Sequence, residues 1–111
     1  MNARRGDIVL VAGGTYASKP RPVLLQQDSG AETGDSIVVI PFTRTRNDRV
    51  PYRVLVNPTP ENGLKTECYL EVDKISAVRR TTVGGCIGTL EPDQLSQVNS
   101  LLGELLGLDI R

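Results

Sequence analysis

Only one stretch of this chain carries apolar residues at helical spacing, and it comes last. From Pro92 to about Leu106, the residues Leu95, Val98, Leu101, Leu102, Leu105 and Leu106 recur every three or four positions and form one stripe. Pro92 suits the first helical position, where a missing N–H costs nothing. Gln94 suits the third position of a capping box, although Glu91 is a poor N-cap. Gly107 follows as a C-terminal cap. The stripe is expected to pack on a sheet, with a dimer contact as the lesser reading. Everything before it must be strand or loop.

Six strand-like segments precede the helix, separated by glycine, proline and polar breakers. Asp7 to Ala12 is the first, rich in β-branched residues. Gly13 to Pro20 reads as a loop. Arg21 to Gln27 is the second strand, with Pro22 expected near its start or on an edge because it cannot donate to a ladder. Ser29 to Gly34 is a polar turn. Ser36 to Thr43 is the third strand, and its unbroken apolar run implies cover on both faces. After the arginine-rich loop Arg44 to Val50 comes a fourth strand, Tyr52 to Val56, and then the breaker-rich Asn57 to Gly63. A fifth runs from Thr66 to Val72 and onward toward Val78. The sixth is Val83 to Leu90, whose glycines imply a bend or a close backbone approach. The expected fold is mainly β, one domain over residues 1–111: a small barrel or strongly bent antiparallel sheet, capped by the C-terminal helix.

The chain contains no histidine. Any hydrolytic or phosphoryl-transfer chemistry must run without the side chain best tuned to neutral pH. Histidine-pair nucleases, Ser-His-Asp hydrolases and histidine-ligated metal sites are excluded. Cys68 and Cys86 lack CxxC spacing and lie in apolar runs, so both are expected to be small buried hydrophobes, with a bridge between them left open. No cofactor and no metal is expected. No apolar run approaches the ~20 residues of a membrane span. The N-terminus lacks the apolar core of a signal peptide, which makes a cytoplasmic protein the expectation.

The formal net charge is zero, but the charge is not evenly spread. Lys19, Arg21, Arg44, Arg46, Arg49 and Arg53 cluster against Asp48 alone, while Glu91, Asp93, Glu104 and Asp109 gather near the C-terminus against Arg111. A basic end of this kind suits a phosphate backbone. Strands two and three can be set as a hairpin around the Ser29–Gly34 turn. With Asp28 opposite Ser36, Arg21 falls opposite Thr43. Opposed residues share a face with Cβ atoms roughly 4.5–5.5 Å apart, so a cation and a hydroxyl meet at the hairpin's open end. A one-residue slip would separate them.

From Arg5 to Leu108 the chain resembles the MazF/PemK (Kid) family of toxin mRNA interferases. The resemblance rests on Arg5-Gly6-Asp7-Ile8-Val9-Leu10-Val11, Lys19-Pro20-Arg21-Pro22-Val23-Leu24-Leu25 and Ile40-Pro41-Phe42-Thr43. It continues in Asp73-Lys74-Ile75, Ile87-Gly88-Thr89-Leu90 and Leu105-Leu106-Gly107-Leu108. It implies an SH3-like bent barrel with a C-terminal helix, acting as a homodimer. It also implies an endoribonuclease that cuts single-stranded RNA at short sequences without a metal, blocked by a cognate antitoxin. The family's catalytic Arg falls on Arg21 and its strand-ending Thr on Thr43. Some members pair an acidic residue at Asp73 with an Arg two residues earlier; here Glu71 stands at that earlier place. Lys19 follows Ser18 where many members carry Glu or Gln, which should alter sequence preference.

In such a reaction the RNA's own 2′-OH attacks the adjacent phosphate and the 5′-oxygen leaves. Arg21 is a poor acid or base, because its pKa exceeds about 12, but its fork suits phosphate oxygens. It is expected to stabilise transition-state charge, with Thr43 donating to the same phosphate. Asp73 is the candidate base. Ser18, Lys19, Arg44, Arg46, Arg49 and Lys74 are candidates for guiding the strand, and Tyr16 for stacking a base. Two alternatives stand beside this reading. One is a gyrase poison of the CcdB type, whose poison surface involves a Trp that this chain lacks; the other is a non-catalytic module on the same barrel.

Overall fold

One proline inside a strand decides where the sheet opens. A computed structural model describes residues 2–13, 17–30 and 34–108, with only the backbone of Ala17 and Ser18. It contains seven strands and one α-helix: β1 (Asp7–Gly13), β2 (Ala17–Leu25), β3 (Ser36–Thr43), β4 (Arg53–Val56), β5 (Cys68–Glu71), β6 (Ser76–Arg79), β7 (Val83–Thr89) and α1 (Pro92–Leu106). Strand β3 and the helix have the bounds that the sequence pattern predicts. Strand β2 starts earlier, taking in residues 17–20 of the expected loop, because Ala17 pairs with Gly13 across a register shift in β1.

The β2–β3 ladder has the expected register: Val23 faces Pro41, Leu24 faces Ile40 and Leu25 faces Val39. The Gln26 N–H donates to the Val38 carbonyl at 2.9 Å. Every second pair from there exchanges main-chain bonds, so Leu24–Ile40 does, and Pro22–Phe42 would come next. Pro22 has no N–H to give, and the ladder stops short of it. Pro22 is thus inside a strand rather than at its start, but its bare nitrogen lies where β2 has lost β3. On its other side β2 continues along β1, with Arg21 opposite Val11. Beyond Pro41, β3 keeps a neighbour only on its far side, where Phe42 faces Leu70 and Thr43 faces Tyr69 of β5.

The expected fifth strand is two. Strands β5 and β6 both pair with β3, in registers that differ by three residues, and the 3₁₀ turn Val72–Lys74 takes up those three. The sheet order is β4-β5-β3-β2-β1-β7, with β6 beside β3. No ladder joins β4 to β7 among the described residues, so the sheet is bent rather than closed. The loop after β4 bridges the gap instead: the Thr89 N–H donates to the Glu61 carbonyl at 2.8 Å.

That loop is organised by Asn62, which is 3% exposed. Its Oδ1 accepts from the N–H groups of Thr59 and Leu64, and its Nδ2 donates to the Asn57 carbonyl. Gly63 has φ of 69° and lies against the Ile87 carbonyl, while Gly88 lies against the Asn62 carbonyl. A Cβ at Gly88 would overlap backbone, which no side-chain rotation relieves. Gly88→Ala is therefore expected to cost about 1–3 kcal/mol by overpacking, read as a lower denaturation midpoint at unchanged slope.

Both sheet faces carry buried clusters. Ile8, Leu24, Ile40, Val54, Val56, Leu70 and Val98 belong to the one under the helix, with Leu95, Leu101 and Leu102 packed on it. Val9, Val11, Val23, Leu25, Ile37, Val39 and Val78 form the other. The helix stripe is narrower than expected: Leu106, in the last turn, is 55% exposed. Gly107 caps the helix in the left-handed region at φ 67°. The cysteines are both free, and only Cys68 is buried; Cys86 is exposed on β7, a sheet edge whose glycines leave nothing to cover it. Burial pushes the Cys68 thiol up, against the pull of Arg44, so it stays protonated and inert at neutral pH. No helix of the described residues is long and apolar enough to cross a membrane.

Candidate active site

Strand alternation sorts the candidate residues onto one face. Val23 and Leu25, like Ile37 and Val39, belong to the second cluster, so Arg21, Pro41 and Thr43 share that face. On the neighbouring strands Leu70, Val54 and Val56 face the helix. Tyr69, Glu71, Arg53 and Leu55 therefore lie on the same face as Thr43.

Arg21 is exposed and Thr43 half-buried. They stand on opposite sides of the opening that Pro22 leaves, in the register of the hairpin but beyond its last bonded pair. The Thr43 Oγ1 accepts from the Thr45 N–H at 3.2 Å, which turns the chain into the basic loop. A hydroxyl that accepts one bond still has its hydrogen to donate. Lys19, Arg44 and Arg49 are exposed around this opening's two chain segments. Arg46 instead holds Asp48 at 2.8 Å, both side chains being over 70% exposed. The pair pushes the Arg46 guanidinium further up and balances its charge locally; such an exposed pair adds little stability. Ser18 is placed on β2 by its backbone. Tyr16 lies outside the described residues.

Asp73 is not a free carboxylate. It sits on the 3₁₀ turn, and its Oδ1 accepts from Arg53 Nε at 3.0 Å. The same guanidinium lies 3.2 Å from Glu71 Oε2, and Lys74 Nζ reaches that oxygen at 3.2 Å. Arg53 and Glu71 are each only 11% exposed, Asp73 24% and Lys74 61%. Two anions and two cations thus form one cluster, with Arg53 at its centre. Such a pair is costly to break from one side, on the order of 3–5 kcal/mol when a buried partner is left uncompensated. Lys74 is therefore spent in part on Glu71.

Sequence reasoning counts Arg53 only in the basic cluster and does not place Tyr69 at the site at all. Arg53 faces Glu71 and Leu55 faces Tyr69 across the β4–β5 ladder, while Tyr69 also faces Thr43. The signal was the charge pair Arg53–Glu71 on two short strands. Their register is hidden by the long breaker-rich connection between them. Glu71 lies diagonal to Thr43, a separation of about 7–8 Å in a sheet, within reach of long side chains. Among the described residues no group of three or more His, Cys, Asp or Glu side chains is arranged to hold a metal ion.

The chain is thus an open bent sheet with one terminal helix, carrying a guanidinium and a hydroxyl at the mouth of a broken ladder. Residues 4–106 match the family model of the PemK-like, MazF-like toxins of type II toxin-antitoxin systems, and the chain belongs to that family. It is 37% identical over 106 residues to a probable endoribonuclease MazF of Mycolicibacterium smegmatis, covering 95% of this chain and 97% of that one. Among solved structures, an endoribonuclease in complex with its cognate antitoxin from Mycobacterial species shares the fold, with a TM-score of 0.75 at 22% identity, covering 98% and 99% of the two chains. A MazE-MazF structure from Deinococcus radiodurans does so at 0.79 and 17% identity, covering 98% and 99%. Membership of this family makes the chain an endoribonuclease toxin and sets aside the gyrase-poison alternative.

Proposed function

We propose that this chain cuts single-stranded RNA at short sequences, without a metal, by attack of the RNA's own 2′-OH. It does so in the cytoplasm as a homodimeric toxin domain, held in check by a cognate antitoxin. The observation that carries the reading is the Arg21–Thr43 opening at the end of the β2–β3 ladder, flanked by the basic segments of Lys19 and Arg44 to Arg49. The solved relative described as bound to its cognate antitoxin supports the partner.

The scissile phosphate lies across the opening. Arg21 grips its non-bridging oxygens through the guanidinium fork and neutralises the charge that builds as the phosphorus becomes five-coordinate. The Thr43 hydroxyl donates to one of the same oxygens. Asp73 takes the proton of the 2′-OH through the oxygen that Arg53 does not hold. The 2′-oxygen forms a bond to phosphorus as the bond to the 5′-oxygen breaks, and the leaving 5′-oxygen takes a proton from solvent water. The products are a 2′,3′-cyclic phosphate and a 5′-hydroxyl. Ser18, Lys19, Arg44 and Arg49 guide the strand, with Arg46 and Lys74 contributing less because each is already paired. Tyr69, opposite Thr43, offers a ring for a flanking base.

Incubating the purified protein with a long single-stranded RNA and mapping the ends tests this reading. Cuts at a few sites sharing a short sequence, with cyclic phosphate and 5′-hydroxyl ends, are expected. Binding should weaken with salt by a log–log slope of roughly −0.7 per phosphate neutralised. Intact RNA, or affinity indifferent to salt, would count against it.

A further inference from the structure

The carboxylate of Asp73 is held by one oxygen and open at the other. Its Oδ1 takes the Arg53 Nε–H at 3.0 Å, and among the described residues nothing bonds Oδ2. At 24% exposure the side chain is neither sealed in nor loose in solvent. Arg53 is itself fixed from the other side, because its second contact, Glu71 at 3.2 Å, is directly opposite it across the β4–β5 ladder. The turn that carries Asp73 is tied to the same place: the Val72 N–H donates to the Tyr52 carbonyl at 3.0 Å, next to Arg53 in the chain.

From this geometry we infer that Arg53 is the positioning residue of the reaction. It clamps one oxygen of Asp73 so that the other is presented to the 2′-OH, and Glu71 serves as the anion that keeps the clamp still. A planar guanidinium can hold two carboxylates at fixed angles, which an ammonium cannot. A base must lie within about 2.6–3.2 Å of the proton it removes, and small losses of such alignment cost up to about a hundredfold in rate. Lys74 touches Glu71 and not Asp73, so it balances charge without setting the orientation. The inference rests on Asp73 as the proton acceptor in the proposed reading.

Arg53→Gln alone leaves Asp73 without its cation and Glu71 with Lys74 only, and risks the fold. Arg53→Gln combined with Glu71→Gln removes one charge of each sign and serves as the working variant. Each is compared with the native chain by thermal unfolding and by cleavage kinetics on a short single-stranded RNA that carries one mapped cut site. The double variant is expected to fold and to lose ten- to a hundredfold in kcat, with KM within about twofold. Added to Asp73→Asn, it should cost little more, since the group it orients is already gone. A folded double variant cutting at the native rate, a loss confined to KM, or a full further loss on top of Asp73→Asn would each overturn the inference. If Asp73→Asn itself cuts normally while the native chain cuts RNA, the assignment of the base fails and the inference with it. If the native chain does not cut RNA at all, it is the proposed function that fails.

Discussion

An Arg21→Ala variant is expected to fold like the native chain and to cut RNA roughly 10²–10³-fold more slowly, the usual cost of removing one donor to developing transition-state charge. The two halves of that expectation have separate grounds. Arg21 is exposed, and its strand is held by main-chain pairing to β1, Arg21 opposite Val11, which alanine keeps. Substitutions at such positions usually move stability by no more than about 0.5 kcal/mol. The rate is expected to fall because Arg21 is the arginine inside β2, next to Pro22, where the ladder to β3 has opened. Arg44 and Arg49 lie past Thr43 on the basic loop and steer the strand, and Arg46 is partnered by Asp48. Single-turnover cleavage of a short single-stranded RNA, with circular dichroism as the fold control, measures both halves. A rate near that of the native chain would remove Arg21 from the chemistry.

The larger effect is expected from the substrate. Replacing the 2′-OH by hydrogen at the one nucleotide 5′ to the cut should abolish cleavage there while binding persists. The nucleophile is then simply absent, and no side chain can replace it. An intramolecular hydroxyl already beside its phosphate has an effective concentration of up to about 10⁵–10⁸ M when well oriented. In the proposed reading, that advantage lets a chain without histidine work with an arginine, a threonine and a carboxylate. Cutting of the deoxy-substituted strand at the same bond would mean that water attacks instead, and Asp73 would then need a different role.

Much of this site is legible in the order of residues, and the reason is local. Strands β2 and β3 follow one another in the sequence across a polar segment, so the position of that segment alone sets which residues are expected to face one another, and the facing pairs come out as the ladder has them. The helix was as plain, because proline at one end and glycine at the other mark its limits. The β4–β5 pairing is a different matter. The two strands are four residues each and joined by a loop built around the buried Asn62. No periodicity sets their register, and so Arg53 could not be matched to Glu71 beforehand. The same limit explains the fifth strand. A 3₁₀ turn of three residues with ordinary strand-like neighbours leaves no mark on the alternation pattern. Exposure of Cys86 and Leu106 was misjudged because apolar type alone does not say which strand is the sheet's edge or where a helix outruns it.

The missing N–H of Pro22 has a consequence for how such a toxin can diversify. The split between β2 and β3 is set inside the strands, by the chemistry of one residue, and not by the loops at either side. The proposed phosphate grip is therefore anchored within paired strands rather than in a loop. In the proposed reading the bases are met by the sequence segments that precede β2 and follow β3. Sequence preference can drift by exchange of those segments, at little risk to the cutting itself. Relatives of this chain would then differ mainly in the words they read and agree in the stroke that cuts them.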